Sequence, residues 1–373
     1  MPNETLARAR EAQNDEFYTQ FHDIEKEVNA YMEYNPDVFR DKTILLPCDD
    51  PEWSNFTKYF ALNFEYFGLK KLISTCYASE ETSQAHPYTF KSKAPQYDAD
   101  KSKTNGKILV IERETESPMR INFEHLNWSY LEGNGDFSSS EICALRDEAD
   151  FIITNPPFSL FRKFLAWIME ADKQFLTLGN MNAISYKEVF PLIKDNKIWL
   201  GVVSGGKEYL TPTGEIQKMG NTCWFTNIEH GRRHQPLPLM TMADNLKFSK
   251  HKEIQGKSAY NHYENFDAID VPYTDAIPKD YDGIMGVPLS FLDKYCPEQF
   301  EILGITKTWY GMANKIYPEQ IQVDKTGKES KVTKLNDGAT IKHNKAPNDE
   351  TYYIVDDNYY TQVYARILIR KKQ

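Results

Sequence analysis

Cysteine is scarce and unpatterned in this chain. The five residues, Cys48, Cys76, Cys143, Cys223 and Cys296, are odd in number, far apart and never in a C-x-x-C pair. A disulfide framework and a thiolate zinc site are thereby excluded, and the reading is of reduced thiols in a reducing cytosol. Long apolar runs are missing as well: no stretch approaches the roughly 18 consecutive apolar residues of a membrane span. The opening MPNETLARAREAQNDE also lacks the apolar segment of a secretory leader, so a soluble cytoplasmic protein with no membrane partner is expected. Positive charge is in deficit, 44 Lys+Arg against 54 Asp+Glu for a net charge of −10. That argues against a surface coated in basic residues for non-specific polyanion binding. The G-x-G-x-x-G fingerprint of dinucleotide-binding folds does not occur either.

What is present bounds the answer further. With 373 residues, 40% hydrophobic and 13% aromatic, the chain can bury a sizeable core, and disordered and fibrous classes are ruled out. The acidic excess is local. Residues 1–200 hold 22 basic and 32 acidic side chains, whereas 201–373 hold 22 of each, so the two parts face different tasks or different partners.

The first 230 residues alternate strand-length apolar runs with helix-period stretches, the pattern of an α/β fold with a mainly parallel sheet. The strand candidates are 43–47, 71–76, 107–112, 151–154, 175–179, 198–203 and 222–226. These predict seven strands with helices on both faces. Helical periodicity runs through Phe21, Ile24, Val28 and Tyr31, through 55–67, and through Phe158, Phe161, Phe164, Leu165 and Ile168. Residues 79–106, poor in aliphatics and rich in turn formers, read as an insertion loop. From about Gly231 the alternation gives way to an aromatic, Asp- and Pro-rich region, a Lys-rich stretch at 325–347 and a closing strand-like TQVYARILIRKKQ. The expected division is 1–230 as core and 231–373 as an appended region.

The sharpest chemical feature is Asn155-Pro156-Pro157-Phe158, directly after the apolar run FIIT and before an amphipathic helix. Neither proline has an N–H to fold back into a ladder, so the turn presents backbone carbonyls outward. An amide side chain beside a bare carbonyl makes two converging acceptors for an exocyclic amino group, aiming the nitrogen lone pair at an electrophile. The aromatic one residue on offers a face for a planar base. The plain alternative is a structural turn with Phe158 as the first core residue of the helix. Gly133-Asn134-Gly135-Asp136-Phe137 lies some twenty residues upstream, on a loop expected at the same sheet edge. Its glycines permit close backbone approach and its carboxylate accepts from an adenine amino group, although the string alone is also a turn signal.

After the first strand candidate come Cys48-Asp49-Asp50-Pro51-Glu52-Trp53-Ser54-Asn55-Phe56. Carboxylates there disfavour a phosphate and tolerate a cationic or hydroxyl-bearing ligand. Asp50 or Ser54 as a helix cap is the structural alternative. Near the N-terminus, Phe17-Tyr18-Thr19 precede an amphipathic helix for which Thr19 is the expected N-cap, and whose N-terminus suits a ligand carboxylate.

The order DEFYTQ, ILLPCDDPEWSNFTKYF, GLKKLISTCY, GNGDF, ITNPPFSLFRKFL, NAISYKEVFPLIKDNKIWLG and YDGIMGVPLSFLDKYCPEQFEI closely resembles the EcoRI-type adenine-specific DNA methyltransferases over nearly the whole chain. The resemblance implies a Rossmann-like S-adenosylmethionine-dependent methyltransferase fold plus a C-terminal target-recognition region. It also implies methyl transfer from S-adenosyl-L-methionine to N6 of a flipped adenine in double-stranded DNA. A restriction endonuclease encoded nearby is then a possible companion, with no stable complex expected. Carried over by position, Asn155 and Pro156 would accept the two hydrogens of the target amino group, Pro157 would complete the turn, and Phe158 would stack on the base. Phe17, Tyr18 and Thr19 would lie near the methionine moiety, Asp49 and Asp50 after the first strand, and Asp136 and Phe137 at the cofactor adenine.

The chain departs from the wider methyltransferase pattern where CDDPEWSNF replaces a Gly-rich loop, and where Cys76-Tyr77 stand in place of an acidic ribose ligand. Cys48 follows a proline, like the nucleophile of C5-cytosine methyltransferases. It lies on the wrong element, however, and precedes two carboxylates that would raise a thiol pKa, so that role is rejected. Methylation of RNA or of a protein glutamine, and a catalytically silent DNA-binding relative, are the competing readings. For DNA contact, Arg232 and Arg233 are the expected basic residues of the appended region.

Overall fold

A computed structural model describes residues 18–78, 94–113, 127–205, 207–210 and 216–372. The chain divides into two compact units, one formed by residues up to 183 together with 198–231, the other by 184–197 together with 232 onward.

The first unit is built on β1 (Tyr18–Thr19), β2 (Thr43–Leu46), β3 (Lys71–Cys76), β4 (Lys107–Glu112), β5 (Trp128–Tyr130), β6 (Phe151–Thr154), β7 (Gln174–Asn180), β8 (Trp199–Leu200), β9 (Lys207–Leu210), β10 (Ile216–Met219) and β11 (Thr222–Thr226). Its helices are α1 (Phe21–Tyr34), α2 (Asn55–Leu62), α3 (Phe64–Phe67), α4 (Lys101–Thr104), α5 (Ser140–Glu148) and α6 (Phe161–Glu170). An eight-stranded sheet runs in the order β5-β4-β3-β2-β6-β7-β11-β8. The β2–β3, β2–β6 and β6–β7 pairs are parallel. The outer pairs β3–β4, β4–β5, β7–β11 and β11–β8 are antiparallel.

All seven anticipated strands are present, but the expected seven-stranded, mainly parallel sheet is an eight-stranded mixed one. The parallel centre explains why β2 and β6 are mainly apolar, with every residue buried, Thr43 and Thr154 included: both faces are covered. β4 turns back antiparallel because the connection 79–106 carries no amphipathic pattern that could cover a sheet face as a crossover helix. The additional strand β5 is three residues long, anchored by buried Trp128.

The apolar run 198–203 also shortens to the two residues of β8 for a visible reason. The N–H groups of Val202 and Val203 donate to the Glu27 carboxylate at 2.8 and 2.6 Å instead of to a neighbouring strand. Glu27 belongs to the face of α1 that buries Ile24, Val28 and Tyr31, and it also accepts from the Tyr31 hydroxyl at 2.8 Å. Burial raises its pKa against the effect of these three donors. Beside the main sheet, β1, β9 and β10 form a small antiparallel sheet with Thr19 opposite Tyr209.

The second unit contains α7 (Phe190–Lys194) and α8 (Met242–Phe248). It also holds β12 (Ile269–Asp270), β13 (Met285–Pro288), β14 (Phe300–Ile305), β15 (Gln320–Val323), β16 (Glu329–Val332), β17 (Ala339–His343), β18 (Tyr352–Val355), β19 (Asn358–Val363) and β20 (Arg366–Lys371). Two sheets form, β12-β13-β20-β14 and β16-β15-β18-β19-β17. The closing strand β20 thus lies inside the first of these, where Arg366 and the Tyr263 hydroxyl both donate to buried Asp270 at 3.1 and 2.6 Å. Phe190 meets Trp309 and Tyr310 edge to face, which accounts for 184–197 joining this unit. Among the described residues no helix is long and apolar enough to cross a membrane, and no group of three or more His, Cys, Asp or Glu is arranged to hold a metal ion.

Candidate active site

In a sheet with a parallel centre, the loops leaving the carboxyl ends of neighbouring strands meet along one edge. At the end of β6, Asn155 is half-buried, Pro156 buried, and Pro157 and Phe158 half-buried. A single 3-10 turn, Phe158–Leu160, then leads into α6, which buries Phe161, Phe164, Leu165, Trp167 and Ile168. Phe158 is therefore placed ahead of the buried helical stripe, half-buried and packed against the core. Its ring edge meets Tyr209 of β9 at 6.3 Å between centroids and 88°. Tyr209 is fully buried, and burial raises its pKa. This contact brings the β1–β9 pair against the Asn155–Phe158 turn.

The first-strand loop is tied to the same place. Asp49, 5% exposed, accepts from Ser54 Oγ at 2.6 Å and from Thr154 Oγ1 at 2.5 Å. Its N–H donates to the Thr75 carbonyl at 2.8 Å and its carbonyl accepts from Ser74 Oγ at 2.6 Å. Ser54 is the N-cap of α2, accepting from the N–H groups of Phe56 and Thr57. Burial pushes the Asp49 carboxyl up to about 7, against the lowering effect of the two hydroxyls and with a further push from Asp50. Each oxygen accepts one hydroxyl inside the protein, so the side chain ties the loop after β2 to the end of β6 and to the cap of α2.

Asp50 is held as firmly, though half-buried. Its Oδ1 accepts from the Glu52 N–H at 2.8 Å, and its Oδ2 from Lys107 Nζ at 3.0 Å and Cys76 Sγ at 3.5 Å. Lys107 also donates to Glu52 Oε2 at 2.7 Å and lies 4.7 Å from the Trp128 ring centroid. Burial opposes its charge, but Asp50, Cys76 and Glu52 outweigh that and raise its pKa. Strand β4, next to the edge strand β5, thus contributes a fixed cation beside Cys76, the position where the wider family pattern has an acidic residue.

The GNGDF loop closes the same edge. The Ala78 N–H donates to the Asn134 carbonyl at 2.8 Å and the Gly106 N–H to that of Gly133 at 3.0 Å. Gly135 has φ of 79°, and a Cβ there would stand 2.3 Å from the Cys76 carbonyl oxygen, so only glycine fits. Asp136 is half-buried, with Oδ1 accepting from Ser138 N at 2.8 Å and Ser138 Oγ at 2.7 Å. Phe137 packs edge to face on Phe164 and Trp167 of α6. The GNGDF loop and the helix after the NPPF turn are neighbours, as their places along the chain suggested.

Two expectations are corrected. Thr19 is not the cap of α1: it lies in β1, and the N-cap is Gln20, with no side-chain cap. Thr19 is buried and its carbonyl accepts from Asn55 Nδ2 at 2.8 Å. Arg233, expected to face DNA, is 4% exposed and donates to Asn196 Oδ1 at 2.5 Å, so it cannot neutralise a phosphate at the surface. Arg232 is half-buried. Tyr18 is placed only by its β1 backbone, and Phe17 lies outside the described residues. Of the other residues here, Ser54 is read from the sequence only as a helix cap, Thr154 only as the end of the apolar run before Asn155 and Lys107 only as the start of a strand, while Tyr209 lies in no string that the sequence singles out.

The family model described as adenine-specific methyltransferase EcoRI matches residues 5–372. The Type II methyltransferase M.EcoRI of Escherichia coli is 42% identical over 322 residues, 82% of this chain and 90% of that protein. The Type II methyltransferases M.MgeORF184P of Mycoplasma genitalium and M.MpnI of Mycoplasma pneumoniae are 35% and 33% identical, each over 79% of this chain and 84% of their own length. No solved structure matches the chain. A model match over almost every residue and a 42% identical relative spanned nearly end to end place this chain in the EcoRI-type adenine-specific methyltransferase family.

Proposed function

We propose that this protein methylates the N6 amino group of a specific adenine in double-stranded DNA, with S-adenosyl-L-methionine as methyl donor. The observation that carries the reading is the Asn155-Pro156-Pro157-Phe158 turn, set at the carboxyl end of a buried central strand in a chain of this family. The surrounding groups fit the donor. Half-buried Asp136 with Phe137, and the absence of a Gly-rich phosphate loop, suit a hydroxyl-bearing nucleoside without a phosphate. When bound, the donor supplies an activated methyl group on a sulfonium.

The chain's own residues then orient and bind. Asn155 Oδ1 and the Pro156 carbonyl accept the two hydrogens of the target amino group. This draws its lone pair out of conjugation with the ring and along the line of transfer. Phe158, braced by Tyr209, offers its face to a base taken out of the duplex. No covalent enzyme intermediate is needed, and no thiol is used. In this reading the stretch 1–230 binds cofactor and performs chemistry, while 231–373 recognises the target sequence.

The test is transfer of labelled methyl from S-adenosylmethionine to duplex DNA, with the modified base identified after digestion. Label is expected in N6-methyladenine. Asn155→Ala is expected to lower the rate by at least about 10²-fold, the scale of losing a transition-state hydrogen bond, and Phe158→Ala by roughly 5- to 150-fold, the scale of losing base stacking. Label entering RNA or protein while DNA stays unlabelled would overturn the substrate assignment.

A further inference from the structure

Asp49 joins three elements around the proposed catalytic turn. Its carboxylate takes Thr154 Oγ1 at 2.5 Å on one oxygen and Ser54 Oγ at 2.6 Å on the other. Thr154 is the last residue of β6 and Ser54 the cap of α2, while the backbone of Asp49 is itself fixed by Thr75 and Ser74 of β3. We propose that Asp49 is a positioning residue for methyl transfer: through Thr154 it sets the direction in which Asn155 and Pro156 are aimed, without touching donor or target base. The inference rests on the reading of that turn as the catalytic one.

The stiffness of the turn is what gives one hydrogen bond this leverage. Asn155 precedes a proline and Pro156 precedes another, so both are confined to extended backbone, and each proline fixes its own φ. The turn then moves nearly as one piece about its junction with β6, which is Thr154. A threonine in a strand has few staggered side-chain positions, and the bond to Asp49 selects among them. Displacement of a reacting group by about 1 Å costs on the order of 10² in rate, so a small rotation at Thr154 is enough to matter. Burying a carboxylate is costly, and an apolar side chain would fill the same space more cheaply. The side chain is 5% exposed and each oxygen holds a hydroxyl, so orienting those two hydroxyls gives the buried group a role.

The test compares Asp49→Asn, Thr154→Val, Thr154→Ser and the Asp49→Asn/Thr154→Val double variant of the full chain. Measured are the single-turnover rate of methyl transfer to duplex DNA, the affinity for S-adenosylhomocysteine by calorimetry, and the affinity for DNA. Expected is a rate loss of roughly 30- to 100-fold in Asp49→Asn and in Thr154→Val, with both affinities within about 3-fold of wild type. Thr154→Ser keeps near-wild-type rate, and the double variant is no slower than the slower single one, as for residues acting as a unit.

Should Asp49→Asn fail to fold, Thr154→Val decides alone, since valine keeps the shape and leaves Asp49 bonded to Ser54. A wild-type rate in Thr154→Val overturns the proposal. So does a loss of S-adenosylhomocysteine affinity in Asp49→Asn that matches its rate loss, which would make Asp49 a cofactor residue. If the unaltered protein transfers no methyl group to adenine, the functional reading and the inference resting on it fall together. An active wild type with an unaffected Thr154→Val removes only the inference.

Discussion

Asp49 also leaves a mark on stability. Its carboxyl group ordinarily titrates near 3.8 and is pushed up to about 7 in the folded protein. Between those values the folded chain holds a proton that the unfolded chain has released, so this group's contribution is fully present below about pH 4. It is lost as pH rises through about 7. An asparagine in its place does not titrate. The melting temperature of Asp49→Asn relative to wild type is therefore expected to rise between pH 5.5 and pH 8, measured by calorimetry at fixed ionic strength. A difference that stays flat across that range would show that Asp49 ionises as freely in the folded state as in the unfolded one. At this scale, what the sequence disclosed depended on contiguity. Asn155 to Phe158 could be read because the four residues of the proposed site are adjacent. The partnership of Asp49 with Thr154 spans 105 positions and has no local signature, and the same is true of Phe158 with Tyr209.

Among elements, apolar runs long enough to fill a doubly covered strand announced themselves, and all seven such runs are strands of one sheet. Their direction was less legible. Pairing depends on whether a connection can cover a face, so β4 and its three-residue neighbour β5 return antiparallel at the edge. Nor does an apolar run reveal that a buried carboxylate from a distant helix will claim its N–H groups, as Glu27 does after β8. The GNGDF loop makes a sharper demand than its turn-like sequence suggests. Gly135 combines a left-handed φ of 79° with a backbone oxygen 2.3 Å from where a Cβ would sit. Gly135→Ala is expected to cost about 1–3 kcal/mol of stability and to weaken S-adenosylhomocysteine binding by roughly 10-fold or more, equivalent to about 1.4 kcal/mol. Chemical denaturation and calorimetry read the two effects. Unchanged affinity in a folded Gly135→Ala would separate this loop from the cofactor site.

For the molecule as a whole, the net charge of −10 is compatible with a DNA substrate because the acid excess lies in residues 1–200. Balanced charge in 201–373 still has to be arranged so that cations reach phosphate, and adjacency in sequence was a poor guide to which ones do. Arg233 follows Arg232 directly, yet it is buried against Asn196. The Lys-rich stretch instead places Lys325, Lys328, Lys334, Lys342 and Lys345 at the surface, with Lys325 and Lys328 in the connection between β15 and β16. Each lysine that neutralises a phosphate contributes about 0.9 to the slope of log affinity against log salt concentration. Replacing both Lys325 and Lys328 by glutamine is expected to flatten that slope by roughly 1 to 2, measured by fluorescence anisotropy on duplex DNA across 50–300 mM salt. Arg233→Ala should instead lower the melting temperature and leave the slope where it was, because the guanidinium is held inside the protein. The opposite pattern, a slope that responds to Arg233 and ignores both lysines, would return DNA contact to the arginine pair.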